Sequence, residues 1–211
     1  CSCPRGGNGG LDRRMTVLKQ ERAEGATDVL LIDSGDMFSV IPDTSKSKLI
    51  LEIMKQMNYD FINLGDQEFV NGVDFIKRYI ELGELPFYSA SLQYIDQNKQ
   101  LYPLAPPYLV KLIKGTKIGI AGVIANEAFK FFPSKKRKNL LVADLEETIK
   151  GILDYFRKED IKIIILVSHC GYALDKKIAK QFPEIDVIIG GHTQTLLEKP
   201  QKVKSTLIVQ A

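Results

Sequence analysis

Two histidines occur in the 211 residues, and each follows an apolar run and lies close to glycine. His169 comes after Ile161 to Val167, in Ser168-His169-Cys170-Gly171. His192 comes after Val187 to Ile189, in Gly190-Gly191-His192-Thr193-Gln194. Two aspartates occupy matching places: Asp36 after Val29 to Ile32, and Asp66 after Phe61 to Leu64. Imidazole and carboxylate are the usual ligands of Zn, Mn and Fe. In open α/β sheets, ligands bind beyond the carboxyl ends of the strands, where the loops converge. A lone histidine is more often a satisfied core or surface residue, but two histidines and two aspartates at four strand ends predict a shared metal site. A carboxylate placed between two divalent ions bridges them. Such ions bind phosphoryl oxygens, neutralise developing charge and lower the pKa of a bridging water. Glycines 35, 65, 171, 190 and 191 adjoin the candidate ligands and predict sharp turns with positive φ there.

These residues need a scaffold that brings strand ends together. Short β-branched runs alternate with longer amphipathic stretches, the pattern of βαβ units in a layered α/β domain. Helices are expected over Leu11 to Glu24, ending at Gly25, and over Ser47 to Met57, Val73 to Leu82, Leu145 to Lys158 and Lys176 to Gln181. Strands are expected over Asp28 to Asp33, Phe61 to Leu64, Pro86 to Ala90, Ile161 to Ser168, Ile185 to Ile189 and Leu207 to Ala211. Tyr108 to Ile113 and Lys117 to Val123 flank Lys114-Gly115-Thr116 and predict a hairpin. Residues 93–108, rich in Gln, Asn, Tyr and Pro, read as an excursion. No linker interrupts the pattern, so residues 1–211 are expected to form one domain.

Composition narrows the function. Hydrophobic residues make up 45% and charged residues 26%, an ordinary globular balance. A net charge of +3, from 29 basic and 26 acidic residues, is too even to argue for nucleic acid or an acidic membrane surface, and no nucleic-acid partner is expected. The basic run Lys135 to Lys138 reads as a solvated loop. No apolar stretch is long enough to span a membrane. Cys1 and Cys3 are too close for a relaxed disulfide; free thiols on a surface loop and thiol ligands to a metal both fit them. Cys170 reads as a small buried filler. Tyr79, Phe87 and Tyr88 read as core rather than as base-stacking residues. Asp33 either supports a ligand or caps a turn.

Taken together, Gly35-Asp36, Gly65-Asp66-Gln67-Glu68-Phe69, Ser168-His169 and Gly190-Gly191-His192-Thr193-Gln194 resemble, in order and spacing, the blocks of calcineurin-like metallophosphoesterases, nearest the 5′-nucleotidase and UDP-sugar hydrolase branch. Gly9 to Thr16 and Leu85 to Leu92 resemble further segments of that branch. The resemblance runs over essentially the whole chain and implies an α/β fold: a layered metallophosphoesterase-type β-sandwich flanked by helices. It implies a hydrolase of small phosphate esters, nucleotides or related molecules, in an extracytoplasmic setting, with one or two divalent ions (Mn, Zn, Fe, Co or Mg). By position it makes Asp36 the bridging ligand, His169 and His192 ligands of one metal, and Gln194 a ligand of the other. Asp66 stands where the family has an asparagine ligand, and Glu68 where it has an acidic residue of structural role. Three departures follow. The family's Asp-x-His strand has no counterpart and is expected ahead of residue 1, as further strands are expected after residue 211. The family's catalytic histidine falls on Gln67, which donates a hydrogen bond but does not protonate a leaving group. The acidic partner of that histidine falls on Val70. A catalytically degenerate binding module is therefore the alternative to an enzyme.

Overall fold

Ile-, Val- and Leu-rich runs pair into two facing sheets with helices outside them in the computed structural model, which describes residues 9–23 and 29–210. Helix α1 (Leu11–Ala23) precedes strand β1 (Ile32–Asp33), helix α2 (Thr44–Met57), strand β2 (Phe61–Asn63), helix α3 (Val73–Leu82) and strand β3 (Phe87–Tyr88). Strands β4 (Leu92–Ile95), β5 (Leu101–Pro103), β6 (Tyr108–Ile113), β7 (Thr116–Ile124) and β8 (Leu140–Val142) follow. Helix α4 (Leu145–Lys158), strand β9 (Ile163–His169), helix α5 (Tyr172–Gln181) and strands β10 (Val187–Gly190), β11 (Gln201–Val203) and β12 (Thr206–Val209) complete the order.

The helix boundaries have local causes. The Asp43 side chain accepts the Lys46 backbone N–H at the start of α2, and Asp144 does the same for Glu147 at the start of α4. Gly83 and Asn58 end α3 and α2 in the left-handed conformation, where the chain leaves the helix.

One sheet is parallel, in the order β1-β2-β3. The larger one has the order β11-β12-β10-β9-β7-β6, with β12, β10, β9 and β7 parallel and the two edge strands antiparallel. Phe61 of β2, Ile120 of β7 and Val167 of β9 pack between the two sheets and are fully buried. Asn63 crosses the same gap, its side-chain amide donating to the carbonyls of Val123 (2.9 Å) and Val167 (3.2 Å). Met54, Met57 and Ile76 of α2 and α3, with Phe69, pack against Ile62 of β2 on the outer face of the first sheet. Ile149, Phe156 and Ile178 of α4 and α5 cover Leu166, Ile188 and Ile208 of the second. This is the helix-flanked β-sandwich expected from the sequence.

Gly122 on β7 leaves the room that Asn63 fills. A Cβ there would stand 2.4 Å from Asn63 Oδ1, and that amide is already committed to two carbonyls. Gly122→Ala is expected to cost about 1–3 kcal/mol through overpacking, to be measured by urea denaturation.

Several expectations need correction. The strand placed at 28–33 forms a ladder only over Ile32–Asp33, because Val29 lies outside the sheet and is 56% exposed. The excursion at 93–108 contains β4 and β5, which join β8 in a third, antiparallel sheet. The basic run has no buried residue, and its first part forms a 3₁₀ turn over Ser134–Arg137. The short helix placed at Lys176 starts at Tyr172. The hairpin is as expected, closing on Lys114 and Gly115, both with positive φ. The stop at Gly25, the strand start at Asp28, the strand end at Ala211, and Cys1 and Cys3 lie outside the described residues. Among those described, no helix is long and apolar enough to cross a membrane.

Candidate metal centre

Register places the four candidate ligands. Gly190 pairs with Ser168 across β10 and β9, so the chain segments carrying His169 and His192 leave the sheet side by side. Their rings lie 5.2 Å apart, edge to face. Asp33 pairs with Ile62 across β1 and β2, which runs the Ser34-Gly35-Asp36 turn beside Gly65-Asp66. Packing of the two sheets then sets the second pair of groups against the first. His169 is the last residue of β9 rather than a residue beyond it, and it is completely buried.

Ligand atoms of Asp36, Asp66, His169 and His192 all lie within 4.8 Å of one another. His169 Nε2 is 3.3 Å from Asp36 Oδ1 and 3.3 Å from Asp66 Oδ1, and His192 Nδ1 is 3.3 Å from the same Asp66 oxygen. His169 Nδ1 sits 2.8 Å from the Ser34 carbonyl, so that nitrogen carries a proton and Nε2 holds the lone pair whenever the ring is neutral. His169 Nε2 and Asp66 Oδ1 are buried and have no hydrogen-bond partner. Two unsatisfied buried acceptors aimed at one point are costly unless something positive stands between them. The donor set of two imidazoles and two carboxylates suits a divalent cation.

The glycines serve close approach more than backbone freedom. A Cβ on Gly65 would stand 2.5 Å from Asp36 Oδ1 and 2.7 Å from the His169 ring, and one on Gly35 would stand 2.5 Å from the Gly65 nitrogen. Gly35 and Gly171 do have positive φ, but Gly65, Gly190 and Gly191 do not. Asp36 (φ 66°), His192 (72°) and Gln194 (50°) take the left-handed conformation themselves. Such backbone is strained for residues with a Cβ and persists where the surroundings hold it.

Glu68 supplies much of that restraint around Asp36. It lies fully buried in the 3₁₀ turn Gln67–Phe69 and accepts backbone N–H groups from Met37 (2.7 Å), Asp36 (3.0 Å) and Gly65 (2.6 Å). The two ligand loops thus hang on one carboxylate. Asp33 acts from the other side. It accepts the Gly35 N–H at 3.0 Å and pairs with Arg14 at 2.8 Å, while Arg14 also donates to Tyr59. Both readings of Asp33, turn cap and ligand support, therefore apply.

Charge in the cluster is tightly shared. Burial works against a charged His169 ring, but the carboxylates of Asp36 and Asp66 and the Ser34 carbonyl outweigh it and raise its pKa to about 10. Burial likewise opposes ionisation of Asp66, yet the two histidines pull its pKa down to about 2. One proton held among four ligand groups occupies the role that a cation fills, and cation binding displaces it.

Gln67 donates from its backbone N–H to Asp36 Oδ1 (3.0 Å) and from its side-chain amide to Asp36 Oδ2 (2.9 Å). Val70 is buried in the core behind the turn. Gln194 is exposed, two residues beyond His192 and outside the four-residue cluster. Cys170 is a buried free thiol, and burial pushes its pKa up to about 12, which leaves it inert. Tyr79 and Phe87 pack in the core and Tyr88 stacks on Phe61, as expected of structural aromatics. Sequence reasoning named Ser168 only as part of a motif and missed Asp175 and Gln210, which lie with it behind the histidines; the one available signal was an acidic residue on the packed face of a short helix.

Comparison with known proteins agrees with this geometry. Residues 3–196 match the calcineurin-like phosphoesterase family. A 5′-nucleotidase of Rattus norvegicus is 32% identical over 199 residues, covering 90% of this chain and 33% of that protein. The trifunctional nucleotide phosphoesterase protein YfkN of Bacillus subtilis is 28% identical over 235 residues, 94% of this chain and 16% of its own. The chain thus spans about a third or less of the length of these curated relatives. Among solved structures, the sulfate thiohydrolase SoxB of Thermus thermophilus superposes with a TM-score of 0.83 at 21% identity, over 96% of this chain and 38% of its own. A 5′-nucleotidase precursor from the same species superposes with a TM-score of 0.81 at 24% identity, over 96% and 43%. These two show the shared fold. With the family match covering nearly all of the sequence and the candidate ligands clustered at the strand ends, the chain belongs to the calcineurin-like phosphoesterase family.

Proposed function

We propose that this domain, residues 1–211, serves a metal-dependent hydrolase of small phosphate esters, nucleotides or related molecules, in an extracytoplasmic setting. The observation that carries the proposal is the convergence of Asp36, Asp66, His169 and His192 on buried, unpartnered His169 Nε2 and Asp66 Oδ1. These residues fit a divalent ion and would hold it through Asp36 Oδ1, Asp66 Oδ1, His169 Nε2 and His192 Nδ1. Gln194, exposed beside them, would offer its side-chain oxygen to a second ion. Divalent ions supply Lewis acidity toward phosphoryl oxygens and make water a better nucleophile.

The chain's own groups do the rest. Glu68 and Asp33 hold the two aspartate loops in place, and the Ser34 carbonyl fixes the His169 tautomer. The Gln67 amide, now on Asp36 Oδ2, is a neutral donor suited to a phosphate oxygen but not to leaving-group protonation. Leaving groups that need no proton, such as aryl phosphates, are therefore expected to turn over better than alkyl esters or nucleoside monophosphates.

Gln67 and Val70 also favour the second reading, a binding module that keeps the fold without catalysis. An assay of the intact protein with an aryl phosphate and with nucleoside monophosphates, in Mn, Zn, Co and Mg, separates the two. The enzyme reading expects chelator-sensitive turnover that falls at least about a hundredfold in His169→Asn. Inactivity with every metal, in protein shown to carry its ion, would leave the binding module.

A further inference from the structure

Behind the two histidines lies a buried polar chain that none of the proposed chemistry uses. Asp175 on α5 is fully buried. The Ser168 hydroxyl donates to its Oδ1 at 2.5 Å, and Ser168 directly precedes His169. Its Oδ2 has no partner, and neither has Oε1 of buried Gln210. Both orphaned oxygens flank the same face of Gly190, lying 2.6 and 3.1 Å from the point where a Cβ would stand. On its other side, the Gln210 amide nitrogen donates to the Gly191 carbonyl (3.2 Å) and to Thr193 Oγ1 (3.3 Å), the two residues bracketing His192.

The orientation of Gln210 is therefore determined. Turning the amide over would offer its N–H to Asp175 but set its oxygen against the Gly191 carbonyl, acceptor to acceptor. An ionised Asp175 would leave two unpartnered acceptors buried beside the same glycine. A proton on Oδ2 resolves this, donated to Gln210 Oε1 directly or through one water.

We propose that Asp175 is held as the neutral acid and, through Gln210, positions the His192 loop. One buried proton then couples the end of β9, which carries His169, to the loop that carries His192. Asp175 touches neither ligand, so it is a positioning residue. The importance of the loop for metal binding rests on the hydrolase reading above; the protonation state does not.

Charges around Asp175 are few. His169 on β9 favours ionisation through its field, Cys170 is a neutral thiol, and Gly190 and Gln210 carry no charge. On its own helix, Lys176 turns onto the Tyr172 ring and Lys177 is exposed. Burial outweighs the Ser168 hydroxyl and the His169 field, and the Asp175 pKa rises from 3.8 to about 7. A raised carboxyl pKa means stability fully present below the unfolded value and lost as pH rises through about 7.

Asp175→Asn is the decisive variant, because its amide copies the neutral acid: an oxygen toward Ser168 and a permanent donor toward Gln210. Melting in EDTA at pH 5.5 and 8.5 tests the protonation alone. The variant's advantage over the natural protein is expected to grow with pH, by on the order of 5 °C between pH 5.5 and pH 8.5. Parallel pH–Tm curves for the two proteins would overturn the proposal. Mn²⁺ titration by calorimetry at pH 6 tests the positioning. Asp175→Asn is expected to bind within about threefold of the natural protein, and Asp175→Ala to bind about 10–100-fold more weakly. An asparagine variant as weak as the alanine one would show that the charge is needed and overturn the neutral acid. If the natural protein binds no Mn²⁺, the metal reading fails and the melting arm still decides the protonation.

Discussion

Glu68→Ala is expected to destabilise the protein by roughly 3–5 kcal/mol, because three backbone N–H groups on two loops, one buried and two partly buried, lose their acceptor at once. The effect should exceed that of any exposed charge, such as Lys55 or Glu84, whose surface pair contributes about 0–1 kcal/mol. Glu68→Gln supplies the internal control. With its oxygen at the Oε2 position, glutamine still accepts from Asp36 and Gly65, while its amide opposes only the Met37 N–H. It should lose about half as much as alanine. Urea denaturation measures both, and equal losses, or losses under about 1 kcal/mol, would show that Glu68 does not clamp the loops. Burial first, and the nearby Asp36 carboxylate second, raise the Glu68 pKa to about 7 against the pull of its backbone donors. On this linkage the Glu68 contribution is fully present below the unfolded value near 4.5 and declines as pH rises through about 7.

The second large effect is a gain. Gln67→His is expected to raise turnover of esters with poor leaving groups, nucleoside monophosphates among them, by about 10²-fold or more, the range typical of a positioned general acid. Aryl phosphates should change little, since their leaving group needs no proton. The turn Gln67–Phe69 already places half-buried Gln67 beside Asp36. Adding Val70→Asp should raise the rate further by orienting the ring, at a cost of about 1–3 kcal/mol for a carboxyl placed in the core. A Gln67→His protein no better than the natural one on nucleotides would mean that residue 67 does not face the leaving group.

The candidate centre was legible wherever a candidate ligand closely followed an apolar run. His169 ends β9, His192 follows β10, and Asp36 and Asp66 follow β1 and β2, so the hydrophobic pattern alone pointed to one edge of the sandwich. Helices with local punctuation were equally clear: α3 lies between Gly72 and Gly83, and Asp144 starts α4. Where stabilisation comes from distant parts of the chain, the pattern was silent. β5 is exposed along Leu101–Pro103 and, among the described residues, pairs with β4 alone, as β11 does with β12. Gly65 and Gly191 read as turns of positive φ because a sequence shows a missing side chain but not the neighbour that needs the space. The left-handed backbone at Asp36 and His192 and the buried carboxyl of Asp175 depend on contacts across the sheet. No local periodicity encodes them.

Metal content tests the central claim most directly. The intact protein, exposed in turn to Mn, Zn, Co and Mg and then dialysed, is to be analysed by elemental mass spectrometry beside its His169→Ala and Asp66→Ala variants. The account predicts at least one ion retained per chain and loss of that ion in both variants while each remains folded. Protein that keeps no metal, or variants that keep as much as the parent, would contradict it.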